Sequence, residues 1–304
     1  MRKSPQMKIR FTQIKQQGSG SKNSQAPLGI ASAVPIQPLH RRASDLYLWQ
    51  KLIFAFLAMV GSMALAFAGP TTQPTLSGNS TTDQILDALD ARGTGLRDFS
   101  ADVTLTDTDT STGDSRINTG SVLLQQNSPT DVRIRVAFTK MQVGNIVKSE
   151  DHQYLLDNGV LDDRDYQTKH ENKGQLLKPG QNVDLFKLGE GPFPLPLGQK
   201  REDVLKNFTV ARIGPSTDDP TSTIHLQLTP KEGTELAKDF KTIDIWVDTN
   251  SAMPRRIQTL DINQTTTRTT DLTNVKINAG VDDKAFTLPP ITSDWNVIEG
   301  PYGQ

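Results

Sequence analysis

The chain of 304 residues has no cysteine, so disulfides, a thiolate nucleophile, thiolate-ligated zinc and iron–sulfur clusters are excluded. Histidine is scarce. Beyond residue 51 there are only His152, His170 and His225, and no two of them stand at H-x-x-x-H spacing, so a zinc site has no support. A P-loop, a dinucleotide fingerprint and a G-x-S-x-G elbow are also missing. Basic charge is thin in the main body. The whole chain balances 33 Lys and Arg against 34 Asp and Glu, but residues 1–51 hold nine of the bases and one acid, leaving 24 against 33, a net of −9. A body of that sign repels phosphate backbones, which argues against nucleic acid as a partner. No cofactor is called for. A Ser/His/Asp triad need not be adjacent in sequence, but nothing singles one out, so the expectation is a protein that is not an enzyme.

What is present begins with an export pattern. Residues 1–51 form a basic leader, polar and low in hydrophobicity over 16–38, which reads as disordered. Leu52–Ala68 is an uncharged apolar run of 17 residues behind Lys51, ending in Ala66-Phe67-Ala68. Basic region, apolar core and A-x-A site make a secretory signal peptide. An uncleaved N-terminal anchor is the alternative, the run being at the short limit for a span. Arg41-Arg42 lies too far upstream for a twin-arginine signal. On either reading the body works outside the cytoplasmic membrane. Residues 69–79 read as a linker and 80–304 as the folded domain.

Thr81 and Gln84 form a capping box ahead of Ile85, Leu86 and Leu89, so a short helix is expected there, stopped by Gly93 and Gly95. The period then changes to two. Phe99, Ala101, Val103 and Leu105 alternate with polar residues, as do Gly120, Val122 and Leu124, then Val132, Ile134, Val136 and Phe138. Asn158-Gly159 between Tyr154–Asp157 and Val160-Leu161 is a strong hairpin signal. Further strands are expected over Phe208–Ile213, Ile224–Leu228, Ile243–Val247, Arg256–Ile262 and Thr267–Ile277. Sequential short strands with few helices predict an antiparallel meander. Ten or so twisted strands curl, so the expected fold is mainly β, an unclosed or closed barrel with one helix and loops at its mouth.

The apolar parity of these strands nominates Val103, Leu105, Val122, Leu124, Ile134, Val136, Leu226, Ile243 and Ile245 as the lining of a hydrophobic cavity, with a dry core as the alternative. The stiff segment Gly189–Gly198 brings Phe193, Leu195 and Leu197 near that cavity or over a core edge. Asp107–Asp114 has a Gly one place late for a calcium loop and reads as a hairpin turn. Asp162, Asp163 and Asp165 beside Arg164 read as exposed charge after a hairpin. His225, between Ile224 and Leu226, should face the polar side of its strand. A secreted hydrolase would have only Asp163 or His170 to draw on.

The C-terminal third carries Leu228-Thr229-Pro230-Lys231, then Ile243-Asp244-Ile245-Trp246-Val247-Asp248, Pro254-Arg255-Arg256-Ile257, and finally Asp282-Asp283-Lys284-Ala285-Phe286-Thr287-Leu288-Pro289-Pro290 with Val297 beyond. With the earlier helix, Phe99-Ser100-Ala101 and Gly120-Ser121-Val122, this order over residues 80–298 resembles the LolA-like family of periplasmic lipoprotein carriers. The resemblance implies an unclosed β-barrel plugged by helices, acylated lipoprotein or lipid as cargo, and as partners an inner-membrane releasing complex and an outer-membrane acceptor. The family's Arg-Pro pair is absent: the stretch reads Gln125-Gln126-Asn127-Ser128-Pro129. That departure favours an alternative, an extracytoplasmic sensing or regulatory module of the same fold, tethered if the leader is retained.

Overall fold

A computed structural model describes residues 75–128, 131–175 and 198–300. The basic leader, the apolar run 52–68, the first part of the linker, Pro129 and the segment carrying Phe193, Leu195 and Leu197 lie outside the described residues.

Twelve strands form one sheet in the order β12-β6-β5-β4-β3-β2-β1-β11-β10-β9-β8-β7. They are β1 (Asp98–Asp109), β2 (Ser115–Ser128), β3 (Asp131–Val143), β4 (Ile146–Asp157), β5 (Val160–Asp165), β6 (His170–Gln175), β7 (Phe208–Ile213), β8 (Thr223–Pro230), β9 (Phe240–Asp248), β10 (Pro254–Asp261), β11 (Thr266–Ile277) and β12 (Asn296–Glu299). Every pairing is antiparallel except β12 on β6. The two edges, β12 and β7, do not pair, so the curled sheet is not closed into a barrel. Chain neighbours are sheet neighbours except between β6 and β7 and between β11 and β12; β11 instead pairs β1, which joins the two halves of the meander, and β12 pairs β6.

Helix α1 (Thr82–Thr94) starts at the expected capping box. The Thr81 amide donates to Gln84 Oε1 at 2.9 Å and the Gln84 amide to Thr81 Oγ1 at 3.3 Å. Such a cap contributes about 1 kcal/mol. Gly93, expected to stop the helix, lies inside it, and Gly95 is the C-cap. A single glycine costs only about 1 kcal/mol against alanine in a helix interior, which tertiary burial overrides. A second helix, α2 (Arg201–Asn207), leads into β7. The Asn158-Gly159 turn has φ of 48° and 79°, as a two-residue β4–β5 hairpin requires. Asp107–Asp114 is a hairpin turn, with Asp109 Oδ1 accepting from the Ser111 and Thr112 amides at 2.8 and 3.0 Å. The first half of β4, all of β6 and all of β12 were not expected; their residues are mostly polar or exposed and show little alternation.

Curling has a local cause. Register slips at Thr119/Gly120 on β2 against β3, leaving Thr139 as an extra residue, and slips again between β3 and β4 at Phe138/Lys140. Such bulges bend the strand and increase twist. At Gly120 the approach is so close that a Cβ would lie 1.9 Å from Ala137 O and 2.8 Å from Phe138 Cα. Only glycine fits, and the obstructing atoms are backbone. Gly120→Ala is expected to destabilise the fold by about 3 kcal/mol. The guanidinium midpoint of the two proteins checks this, and an unchanged midpoint would show that β3 can yield.

Candidate functional site

The two faces of the sheet follow from register. On the concave side one row runs Ile277–Phe99–Leu124–Ile134–Leu156–Leu161 across β11, β1, β2, β3, β4 and β5. The next runs Ala101–Val122–Val136–Tyr154–Asp163, and the next Leu272–Val103–Gly120–Phe138–His152. Across the β11 junction the same face continues as Leu105–Thr270–Ile257–Ile245–Leu226. All nine residues nominated as cavity lining, Val103, Leu105, Val122, Leu124, Ile134, Val136, Leu226, Ile243 and Ile245, lie in one buried cluster on this face. Phe99, Phe138, Leu156, Ile224, Leu228, Val247 and Ile257 share it, although alternation alone could have added them.

Among the described residues the face is covered in part by two helices. Ile85, Leu86, Ala88 and Leu89 of α1 and Val204 of α2 join the cluster. Burial of three aliphatic side chains of α1 contributes about 1.5–3 kcal/mol each. Its directional ties among the described residues include Arg92 Nε to Ser251 O at 2.6 Å, the Gly198 amide to Leu89 O at 3.2 Å, Arg201 to Asp87 at 3.0 Å, and Asn278 Nδ2 to the C-cap Gly95 O at 2.8 Å. The helix is held mainly by apolar contact.

One end of the concave face is polar. His152 Nε2 lies 2.5 Å from Asp163 Oδ1, and both side chains are almost fully buried. The imidazole stacks on Tyr154 with centroids 4.5 Å apart, and Phe138 meets Tyr154 edge-on at 6.4 Å. Asp165, next in line, is held below the ordinary carboxylate range: burial opposes its charge, but hydrogen bonds from Thr168 and Gln167 and the nearby His152 outweigh that.

The expectation that Asp162 and Asp163 are exposed is therefore corrected; they are 9% and 7% exposed. Consecutive strand residues point to opposite faces. Asp163 turns inward to His152, and Asp162 turns outward to Arg164 Nε at 3.5 Å and Lys173 at 3.6 Å. Arg164 Nε also donates to Glu171 Oε1 at 2.8 Å. Burial and the adjoining Asp162 push Glu171 above its ordinary value, against the pull of Arg164. Strand β6 supplies the partners that a reading of the hairpin alone could not see.

On the outer face of the other half, His225 lies on the polar side of β8, as expected. Its Nε2 is 2.8 Å from Asp244 Oδ1, and its ring stacks on Trp246 at 4.1 Å. Trp246 Nε1 donates to Asp219 at 2.6 Å, and Arg256 binds Asp271 at 2.7 Å. These groups partner one another. An open cleft of about 590 Å³ lies where β1 and β11 part at the Ser100/Asp102 bulge, with Asp102, Ser121, Asn274 and Lys276 among its lining. Ala101, Leu123 and Val275 share that lining. Among the described residues no three His, Asp or Glu groups are placed to hold a metal, and no helix is long and apolar enough to cross a membrane.

No family model matches this chain, and a search of curated protein sequences gives no match. Solved structures do show likeness. An uncharacterised conserved protein from Thermus thermophilus aligns over 71% of this chain and 98% of its own at 11% identity, TM-score 0.42. MucB in its complex with MucA from Pseudomonas aeruginosa aligns over 69% of this chain and 62% of its own at 11% identity, TM-score 0.40. A LolA superfamily protein from Nitrosomonas europaea aligns over 69% and 99% at 11% identity, TM-score 0.29.

The buried His152–Asp163 pair yields a test. Asp163→Ala breaks the buried pair, for an expected loss of about 2 kcal/mol. Asp163→Asn, which keeps an acceptor oxygen, should lose less than half of that by chemical denaturation.

Proposed function

We propose that this chain is an extracytoplasmic carrier that holds the acyl chains of a lipoprotein or lipid between α1 and the concave face, for transfer between membranes. The observation that carries the reading is a continuous aliphatic face spanning most of a twelve-strand open sheet, whose cover among the described residues is mainly apolar. Apolar contact is non-directional, so acyl chains can substitute for helix side chains at little cost, each buried CH₂ contributing about 0.8 kcal/mol. The nine nominated residues are then the lining. In this reading the leader is cleaved after Ala68, residues 80–304 act as the carrier domain without catalysis, and a releasing complex and an acceptor stand at the two membranes. The sequence resemblance at the C-terminus supports it.

A second feature fits the same role. The β3–β4 hairpin projects Val143, Ile146 and Val147, which are 36%, 55% and 61% exposed. Residues 132–149 contain Arg133, Arg135, Lys140 and Lys148 and no acid. An apolar tip flanked by lysines, on a body of net negative charge, suits an anionic bilayer surface. The sensing alternative draws on a different observation: Gln125, in the stretch that replaces the Arg-Pro pair, is committed to Asp283 at 3.1 Å. Retention of residues 52–68 in the exported protein, read by N-terminal sequencing, would favour that alternative.

The carrier reading is tested by organic extraction and mass spectrometry of the purified protein. The expected result is stoichiometric acylated material; an empty protein that also refuses a fluorescent fatty-acid probe overturns it. Ala101→Phe sharpens the test. In a lined cavity it cuts probe uptake at least tenfold with the lipid-free midpoint little changed, whereas in a dry core overpacking costs about 1–3 kcal/mol. At the hairpin, Ile146→Asp with Val147→Asp should weaken binding to anionic phospholipid vesicles at least tenfold. Stability should stay within about 0.5 kcal/mol, both positions being exposed.

A further inference from the structure

After β11 the chain crosses the outer face of the sheet as a strap, residues 278–300. It has one 3-10 turn, Asp283–Phe286, and ends as β12 on the edge of β6. The body grips it in the manner of a bound peptide. Arg133 and Gln125 donate to Asp283 Oδ1 at 2.7 and 3.1 Å. Arg135 donates to Ala285 O and Arg164 to Pro289 O, each at 2.7 Å. Two side chains, Phe286 and Leu288, are buried as anchors, in a small cluster with Leu155 that is separate from the main core. Main-chain carbonyls held by the host, with one carboxylate and two apolar anchors for selectivity, are the elements of extended-peptide recognition.

Three further facts mark the strap as a replaceable occupant. Its hinge is firmly fixed: Asn278 Oδ1 accepts from the Arg97 and Asp98 amides at 2.8 and 3.2 Å, and Asn278 Nδ2 donates to Gly95 O at 2.8 Å. Detachment can therefore stop at Asn278 without disturbing β11. Its far end is a solvent-facing edge: all four residues of β12 are exposed, with Val297 at 41% and Ile298 at 53%, and it is held by pairing on β6, the Lys169–Asp294 ion pair and the Tyr166–Trp295 ring contact. Finally, the strap satisfies its seat incompletely. Among the described residues, the buried Nε atoms of Arg133 and Arg135 have no acceptor, and a buried unpaired donor is costly.

We propose that the outer face of β3–β5 is a peptide-binding groove held in cis by residues 282–299, and that an extended acidic segment of a partner protein displaces the strap. The partner's chemistry follows from the seat. It carries a carboxylate three residues before an aromatic residue and five before Leu-Pro, as in Asp283, Phe286, Leu288 and Pro289. A second carboxylate near the first engages the unpaired arginine Nε donors, which gives the partner its advantage over the strap. The groove is on the face opposite the aliphatic lining and does not depend on the carrier reading.

The test uses the full chain and a fluorescent peptide of residues 280–299, followed by anisotropy. Phe286→Ser with Leu288→Ser empties the groove and should bind the peptide at least tenfold more tightly than the wild type. Arg135→Ala on that background should remove most of the gain, and Lys284→Glu in the peptide should tighten binding several-fold. A folded double variant that binds no better than the wild type overturns the proposal. Should the double variant not fold, hydrogen exchange on the wild type decides. Residues 284–299 should exchange at least a hundredfold faster than β3 and β4, and faster still with excess peptide. Protection equal to that of β3, or a wild-type dimer exchanging straps between copies by sedimentation, also overturns it.

Discussion

The approach of β3 to β2 at Gly120 is the constraint on which the rest of the structure depends. Without a side chain at that point the two backbones come closer than any Cβ allows, and the register slip beside it adds the bend that an evenly paired sheet lacks. A second slip between β3 and β4 repeats the bend one strand further on. Twist alone would give an open propeller-like sheet. Bends concentrated in the middle of the first half turn it into a trough, and a trough has an inside that must be filled.

Alternation then makes β3 serve both sides of the sheet. Ile134 and Val136 point inward to the aliphatic rows, while Arg133 and Arg135, between and beside them, point outward to the strap. The same division appears in β5, where Asp163 meets His152 inside and Asp162 meets Arg164 and Lys173 outside. The outer face of this half is thus no solvated polar surface of the kind usual for antiparallel sheets. It is a seat of arginines covered by a segment from the other end of the chain. Arg133 binds Asp283, 150 residues away in sequence.

That distance explains what could be read from the sequence. Local chemistry was legible: the capping box of α1, the Asn158-Gly159 turn, the strict parity of β1 to β3 and the nearly correct limits of β7 and β11. Long-range partnership was not. Asp162 looks like surface charge until β6 brings Glu171 and Lys173 beside it, and Asp163 until β4 brings His152. Gly120 looks like one more strand residue, because nothing nearby states that β3 will cross it. The strap's Phe286 and Leu288 could be quoted for a family resemblance but not placed, since a segment with a single turn has no period to reveal which face it covers. Gly93 failed as a helix stop for the same reason: burial of Ile85, Leu86 and Leu89 outweighs a local penalty of about 1 kcal/mol.

The two covers differ in the kind of force that holds them, and this decides what can remove each. Helix α1 is retained chiefly by burial of aliphatic surface, which is non-directional and indifferent to the identity of the apolar group that replaces it. The strap buries only two large side chains and relies on guanidinium groups aimed at particular oxygens. Those bonds are strong only when the acceptor geometry is right, so a hydrocarbon chain cannot replace them but another carboxylate-bearing backbone can. At its exposed end the strap also carries Asp294, lowered to about 2 chiefly by Lys169. Ionised above the unfolded carboxylate range, Asp294 favours the attached strap, and that contribution is lost only as pH falls toward its depressed value. Across the ordinary pH range the Lys169–Asp294 pair therefore persists. Alternation along β3 alone thus separates an aliphatic face from a face of arginines.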